Sequence, residues 1–259
     1  MRMMKKVLGT VTVLALSVSL LVGCGSTAAS PVSSAASTAA ESTTSSIASE
    51  TTSAAADENE AAAAQLLNDL TGSYQELWPV ILADEYKQTW LDDCTALVGE
   101  DNAEAAFEKL SSMVTGDVYG EDAVKAYANG GGAYFCGFTN SLATLTFDGE
   151  TSTISGTDKD GNVLFSHTYH YIGMEPVRGL YEFESDDADS GEFTYFFLAP
   201  DTSAETYHIE FRYGSDAEAL SQYDAGEYAY WLASGISTDC DQTMIDNCIE
   251  LFCTENLAG

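Results

Sequence analysis

Positive charge is scarce in this sequence. Its 259 residues include 9 lysines and arginines against 41 aspartates and glutamates, which gives a formal net charge of −32 at neutral pH. Three of the nine basic residues, Arg2, Lys5 and Lys6, precede the first apolar run. Without them the balance is six basic against 41 acidic residues, or −35. Because such a surface repels phosphate backbones, we expect no nucleic-acid partner.

Histidines and catalytic motifs are also few. The chain has three histidines, and it contains neither a Gly-x-Ser-x-Gly nucleophile turn nor a His-Glu-x-x-His zinc-protease motif. The Gly130–Gly132 run lacks the lysine and hydroxyl residue of a phosphate loop. Since little remains for general-base chemistry, we expect a protein that is not an enzyme.

The sequence has no apolar run as long as the roughly 20 residues that a membrane-spanning helix needs. The run Val7–Val22 has 16 residues, and it follows a basic start, which is typical of a secretory signal. It leads into Leu21-Val22-Gly23-Cys24, which resembles the bacterial lipobox. We therefore expect residues 1–23 to be a lipoprotein signal peptide. Cys24 would then carry a lipid that anchors the protein to the cell membrane, facing outward.

Residues 24–56 lack the side chains that build a core. From Ser26 to Ala56, 26 of 31 residues are Ser, Thr or Ala. This composition predicts a disordered tether. The remaining residues, 57–259, are expected to form one globular domain, which we expect to be monomeric.

Within residues 57–259 the pattern predicts helices at both ends of a β-rich middle. Helical spacing or composition indicates helices at Asp57–Leu70, Asp101–Val114, Asp216–Tyr223, Glu227–Ala233 and Asp241–Phe252. Turn-like segments separate seven short predicted strands: Ala133–Phe138, Ala143–Phe147, Thr151–Gly156, Val163–Ile172, Gly179–Glu184, Phe193–Leu198 and Tyr207–Tyr213. The fold class is therefore α+β, with an antiparallel barrel or sandwich.

The last of these strands alternates strictly between two kinds of side chain. Its aromatic and apolar face, suited to a core, comprises Tyr207, Ile209, Phe211 and Tyr213. Its other face is polar, begins one residue earlier, and comprises Thr206, His208, Glu210 and Arg212. This polar face either contacts solvent or lines a site. His208 and Glu210 share it, and both residue types are acceptable zinc ligands.

Several stretches resemble, in order, the ZinT family of periplasmic or lipid-anchored zinc-binding domains. They are Leu70–Pro79 (LTGSYQELWP), Val177–Phe183 (VRGLYEF), Ala199-Pro200, the His208 strand with Gly214-Ser215-Asp216, and the helical end with Trp231. The resemblance spans about Leu67 to Phe252. It implies a calycin or lipocalin-like barrel with flanking helices, zinc as the ligand, and a role beside a metal importer.

The family's zinc histidines are only partly present. They lie three residues before the Ala-Pro pair and as a His-x-His on the next strand; these positions are Phe196, Thr206 and His208 here. Among the residues that remain, His208, Glu210 and His170 form a chemically reasonable metal site. His167 and His170 are three apart on one strand and point to opposite faces, so at most one of them can join His208.

A second function stays open because Phe196 and Thr206 replace histidines. A calycin-like ligand-binding or surface-interaction module that has lost its metal site would fit these replacements. Its apolar cavity would be lined by aromatic residues: Tyr169, Tyr171, Phe197 and Tyr207. A barrel that is filled by side chains would count against such a cavity.

Five cysteines follow Cys24, which is an odd number for disulfides. Export permits disulfide formation, and Cys240–Cys248 and Cys94–Cys136 are possible pairs. Most of the five are expected to be small buried apolar residues instead. Their spacing matches no zinc-knuckle pattern.

Overall fold

The computed structural model describes residues 58–258, so the predicted signal peptide, Cys24 and the tether lie outside the described residues. Eight strands form one closed antiparallel barrel in which each strand pairs with its neighbours in chain order and β8 returns to β1. The strands are β1 Gly72–Glu76, β2 Thr144–Asp148, β3 Thr153–Thr157, β4 Val163–Met174, β5 Tyr181–Ser185, β6 Tyr195–Leu198, β7 Ile209–Gly214 and β8 Ala233–Ser237. The barrel decides between the two architectures that the pattern left open.

Helices precede, interrupt and follow the strands. The helices are α1 (58–69), α2 Leu77–Ile81, α3 Lys87–Val98, α4 Glu100–Val114, α5 Glu121–Ala128, α6 Ser203–Thr206, α7 Ala217–Leu220 and α8 Gln242–Leu257. The predicted α+β class, with a calycin-like barrel and helices at both ends, is confirmed. No helix within residues 58–258 is long and apolar enough to cross a membrane.

The sequence pattern does not predict two of the eight strands, and one strand that it does predict is wrong. Ala133–Phe138 is a loop in which Phe135 makes only isolated bridges, to Thr115 and to Trp231. Its apolar residues pack on the barrel without joining the strand ladder; Phe138, for example, contacts Phe211 of β7 with ring centroids 5.3 Å apart. The missed strands are β1 and β8, and β8 closes the barrel by pairing with both β1 and β7.

The predicted helix Glu227–Ala233 is also wrong. Residues 227–230 form turns, and Trp231 is fully buried, with its indole N–H donating to the Gly137 carbonyl at 2.9 Å. Ala233 then begins β8. A short apolar run gives too few residues to fix a period, so the pattern could not separate a helix from turns that lead into a strand.

The barrel interior is filled by side chains, most of them aromatic. Alternate residues of the strands point inward and pack into one cluster that includes Phe147, Phe165, Phe183, Phe196, Phe211, Tyr213 and Trp231. The rings contact one another closely; Phe165 and Phe193, for example, stack with centroids 3.9 Å apart. The interior is therefore a packed core.

A second core lies between the helices and the outer side of the barrel wall. Ile236 of β8 packs there with residues of α2, α3, α4 and α8, including Leu77, Trp90, Leu110 and Ile249. The indole N–H of Trp90 donates to the Ile81 carbonyl at 2.7 Å, which satisfies a fully buried polar group. This core holds α8 against the barrel.

The described cysteines are all free thiols, so neither predicted disulfide is formed. Cys94, Cys136, Cys248 and Cys253 are buried, which confirms the expectation for most of them. The sulfur that lies beside Cys94 belongs to Cys253 and not to Cys136.

Candidate metal centre

The segment that leads into β7 carries the candidate site. Ile209, Phe211 and Tyr213 are buried in the barrel core, as their alternation predicted. The strand begins at Ile209 and not at Tyr207. Thr206 ends α6, and Tyr207 follows with a left-handed backbone (φ 66°) that breaks the alternation.

A capping box explains why α6 replaces the start of the strand. The Thr202 side chain bonds the backbone of the third helical residue, and the side chain of that residue, Glu205, reaches back to the Thr202 backbone N–H. This Thr-x-x-Glu pattern satisfies two backbone donors at a helix start. The sequence of residues 202–205 therefore predicts a helix start, but the alternation from Thr206 onward is the stronger signal and favours a strand.

His208 is held by a backbone carbonyl. Its Nδ1 lies 2.7 Å from the carbonyl oxygen of Thr206. Because a carbonyl oxygen only accepts hydrogen bonds, Nδ1 carries the proton and donates. In the neutral imidazole the lone pair therefore belongs to Nε2, and that nitrogen lies 3.9 Å from Glu210 Oε1.

Further acidic groups surround this pair. Burial raises the pKa of the Glu255 carboxyl on α8, His208 lowers it, and Glu210 and Asp201 raise it. The pKa of Asp201 is raised by burial and by Glu205 and lowered by His208. One imidazole therefore lies within the electrostatic reach of three carboxyl groups, and Asp201 and Glu255 come from separate parts of the chain.

A thiol, Cys248 of α8, lies beside this pair. Its Sγ lies 3.8 Å from His208 Nδ1, on the side of the ring that bonds Thr206. Burial raises the pKa of this thiol to about 12, and nearby acidic groups add to the effect. Since zinc binds the thiolate and not the thiol, Cys248 packs against the imidazole as a neutral group.

His170 lies on a distant part of the barrel. It is exposed on β4 and pairs with Asp186, with 2.7 Å between Nδ1 and Oδ1. Three strand pairings separate β4 from β7, and the register leads from His170 through Glu184 and Tyr195 to Gly214. Gly214 is six residues beyond His208. The predicted combination of His208, Glu210 and His170 is therefore not assembled in this structure.

The other predicted positions supply no ligand either. Phe196 is fully buried in the barrel core, and Thr206 Oγ1 bonds the His208 carbonyl oxygen at 2.8 Å. His167, on the opposite face of β4 from His170, has its Nδ1 2.9 Å from Asp187 Oδ2. Within residues 58–258 no three His, Cys, Asp or Glu side chains form a group that could hold a metal ion. Of the three predicted ligands the structure brings two together, and this His208–Glu210 pair is the candidate half-site.

Arg212, the last member of the predicted polar face, is fully buried. Its guanidinium donates to the carbonyl oxygens of Leu220, Gln222 and Tyr228 and lies 4.4 Å from the centroid of the Tyr223 ring. This residue ties the segment after β7 to the barrel wall. The predicted polar face thus carries the His208–Glu210 pair at one end and a buried anchor, Arg212, at the other.

No family model and no curated protein matches the chain. Among solved structures it is similar to the Zn(II)-bound ZinT-like domain of Streptococcus pneumoniae AdcA, with a TM-score of 0.45 and 16% identity over 71% of this chain and 89% of that one. It is also similar to Zn(II)-bound AdcA from the same organism, with a TM-score of 0.42 and 15% identity over 70% of this chain and 34% of that one. Identities and TM-scores of this size assign no ligand.

Proposed function

We propose that this domain binds a divalent metal ion, zinc, through His208 Nε2 and Glu210 Oε1. The observation that carries the proposal is the hydrogen bond from Nδ1 to the Thr206 carbonyl. A backbone carbonyl on the other ring nitrogen is the usual partner of a metal-ligating histidine, because it orients the ring and fixes the tautomer. Here it turns the lone pair of Nε2 toward a carboxylate.

The two atoms are close to the spacing that one shared ion would need. Zinc bonds nitrogen at about 2.0–2.1 Å and carboxylate oxygen at about 2.0–2.2 Å, so two ligands at the tetrahedral angle would be roughly 3.4 Å apart. The observed separation is 3.9 Å, and a small rotation of the partly exposed Glu210 side chain would let both atoms hold a single ion. Water completes the coordination, and the carboxyl groups of Asp201 and Glu255 add negative potential around it.

A site with two protein ligands binds more weakly than one with the usual three or four. We therefore expect readily exchangeable zinc. In the cell we propose that the domain is attached to the outer face of the membrane through lipid on Cys24, where it acts as a non-catalytic accessory to metal uptake beside an importer. The signal-like start and the Ser/Thr/Ala-rich tether of the sequence support this placement.

Zinc titration of the purified protein tests the proposal. We expect one zinc ion per chain by calorimetry, and a His208→Ala variant should lose at least about tenfold in affinity, because one of two protein ligands is gone. His170→Ala is the matched control, since it removes an exposed histidine that is bonded to a carboxylate elsewhere on the barrel. Its affinity should equal that of the original protein.

Two outcomes would contradict the half-site. Equal zinc binding by the His208→Ala variant would place the metal elsewhere. An equal loss in the His170→Ala variant would mean that the two histidines converge in a conformation different from this one. Circular dichroism of both variants separates a lost ligand from a lost fold.

The alternative is a module without a metal site. Because the barrel is filled by side chains, the form of this alternative that binds a ligand inside the barrel is disfavoured. Tyr169 lies in the packed interior, and Phe197 is fully buried against the same cluster, so both aromatic rings are part of the core. A surface pocket of about 340 Å³ beside Trp78, Phe135 and Cys136 favours the surface-interaction form of this alternative. Protein that stays metal-free in excess zinc would support it.

A further inference from the structure

Two buried thiols face each other across the α3–α8 interface. Cys94 of α3 and Cys253 of α8 are both fully buried, and their Sγ atoms are 3.9 Å apart. No other two sulfur atoms within residues 58–258 are close enough to share a hydrogen bond. The pair is remote in sequence, which is why spacing alone could not identify it.

Neighbouring side chains hold the two thiols opposite each other. Trp90, one turn before Cys94, contacts Phe252, which precedes Cys253; their ring centroids are 6.0 Å apart in an edge-to-face arrangement. Ile249, one turn before Cys253, is also fully buried in this core. The two helix faces are therefore fixed in register. A sulfur–sulfur bond is about 2.05 Å long, so the two Sγ atoms would have to approach by roughly 1.9 Å from their 3.9 Å separation.

We propose that Cys94 and Cys253 are a disulfide-forming pair, and that the oxidised protein carries this bond between α3 and α8. The oxidant is a small organic disulfide of the glutathione type. The thiolate of one cysteine attacks it and releases one small thiol, and the second cysteine then displaces the other. The two protein thiols lose two protons and two electrons in total, and the organic disulfide is reduced to two thiols.

Burial determines when this bond forms. Neither sulfur is accessible in the folded domain, and burial raises the pKa of both thiols. The exchange therefore takes place during folding, before α8 closes over α3. Once the domain is folded, the same burial protects the bond from reductants.

The bond would enclose a long loop. Cys94 and Cys253 are separated by 159 positions, and the strands β2 to β8 lie between them. A cross-link that closes a long loop removes much of the freedom of the unfolded chain. For a domain of this size we expect the oxidised form to melt about 5–15 °C above the reduced form.

Refolding of the full chain in a glutathione redox buffer tests the inference. The buffer contains no added zinc, so the result does not depend on the proposed metal site. We expect two free thiols fewer than in the reduced protein, a peptide map that links Cys94 to Cys253, and the higher melting temperature. Cys94→Ala and Cys253→Ala should each abolish the redox-dependent difference in melting temperature. Cys136→Ala, at a buried cysteine whose Sγ has the Tyr134 carbonyl and no described thiol as its hydrogen-bond partner, should keep it.

Two results would overturn the inference. One is an unchanged thiol count after oxidative refolding, and the other is a peptide map that links different cysteines, such as Cys240 and Cys248. The thiol count and the map are made on the unsubstituted protein. They therefore decide the matter even if a cysteine variant fails to fold.

Discussion

Glu210 and Arg212 are two residues apart on the same face of β7, yet their surroundings differ. The Glu210 side chain is 43% exposed and faces His208, whereas Arg212 is fully buried under the segment that follows β7. Burial lowers the pKa of the Arg212 guanidinium to about 10, so it stays charged at neutral pH. A buried charge needs partners: three backbone carbonyls accept hydrogen bonds from the two terminal nitrogens, and the Tyr223 ring lies against the guanidinium, while Nε has no hydrogen-bond partner.

Replacing Arg212 with lysine should destabilise the domain. An ammonium group cannot reproduce the planar fork that reaches three carbonyl oxygens, and acceptors left unpaired in the interior are costly. We expect a loss of about 2–4 kcal/mol in the free energy of unfolding. Urea denaturation followed by tryptophan fluorescence measures it.

Lys125→Ala is the control for this variant. Lys125 is exposed and forms only surface ion pairs with Asp122 and Glu121, so its loss should leave the free energy of unfolding almost unchanged. Comparable losses in the two variants would show that Arg212 does not anchor the segment after β7.

Among the elements, α8 takes part in most of the features described above. It packs on α3 and on the barrel wall, it carries Cys248 and Glu255 near His208, and it brings Cys253 to Cys94. Its interface with α3 also contains like charges. Burial raises the pKa of Asp93 on α3, and Glu250, Asp246 and Asp92 raise it further. Asp93 Oδ2 is buried without a hydrogen-bond partner.

Removing the charge of Asp93 should stabilise the domain at neutral pH. Because the pKa of this carboxyl is higher in the folded state than in the unfolded state, the fold binds its proton more tightly. The contribution of Asp93 to the free energy of unfolding is therefore largest at low pH. It falls as the pH rises past the pKa of Asp93 in the unfolded chain and then past its higher pKa in the folded domain. We expect Asp93→Asn to raise the free energy of unfolding by up to about 1 kcal/mol at pH 7, a figure that is reduced because Asp93 is partly exposed. Near pH 3 the substitution should leave the free energy of unfolding unchanged.

Thermal melts of the Asp93→Asn variant and of the original protein between pH 3 and pH 7 measure this difference in stability. Asp92→Asn is the matched control, because Asp92 is exposed and accepts a hydrogen bond from Gln88 on the same helix. It should show a smaller change. A variant at Asp93 that is less stable at pH 7 would contradict the proposed repulsion.

At the scale of the whole molecule, the acidic excess acts on every part of the fold. With 41 acidic and 9 basic residues, like charges repel one another across the surface, and this repulsion disfavours the compact state. The same potential gathers cations around the domain. This attraction is not specific for any cation, so it does not by itself create the proposed site at His208.

Salt should therefore raise the melting temperature. Between about 10 mM and 0.5 M NaCl the screening length falls from roughly 30 Å to a few ångströms, and we expect a gain on the order of 5 °C at pH 7. Scanning calorimetry at several salt concentrations measures it. Near pH 3, where most carboxyls are neutral, the gain should shrink; an equal gain there would refute charge repulsion as its cause.

The sequence by itself determined those features that depend on neighbouring residues. Alternation and turns located β2 to β7 within a few residues, the helical spacing identified α4 and α8, and the proximity of His208 and Glu210 followed from their separation of two. The class of fold could be predicted from the same local patterns, because many short strands with tight turns favour a closed antiparallel sheet.

Only the tertiary structure decided what depends on distant partners. β8 (ASGIS) is a weak strand sequence, and it is a strand because β1 and β7 flank it on both sides. The separation of His170 from His208 is set by barrel register, and the burial of Arg212 is set by the segment that covers it. The approach of Cys94 to Cys253 depends on the packing of two helices. Short-range periodicity encodes none of these, because each is a contact between parts of the chain that the fold alone brings together.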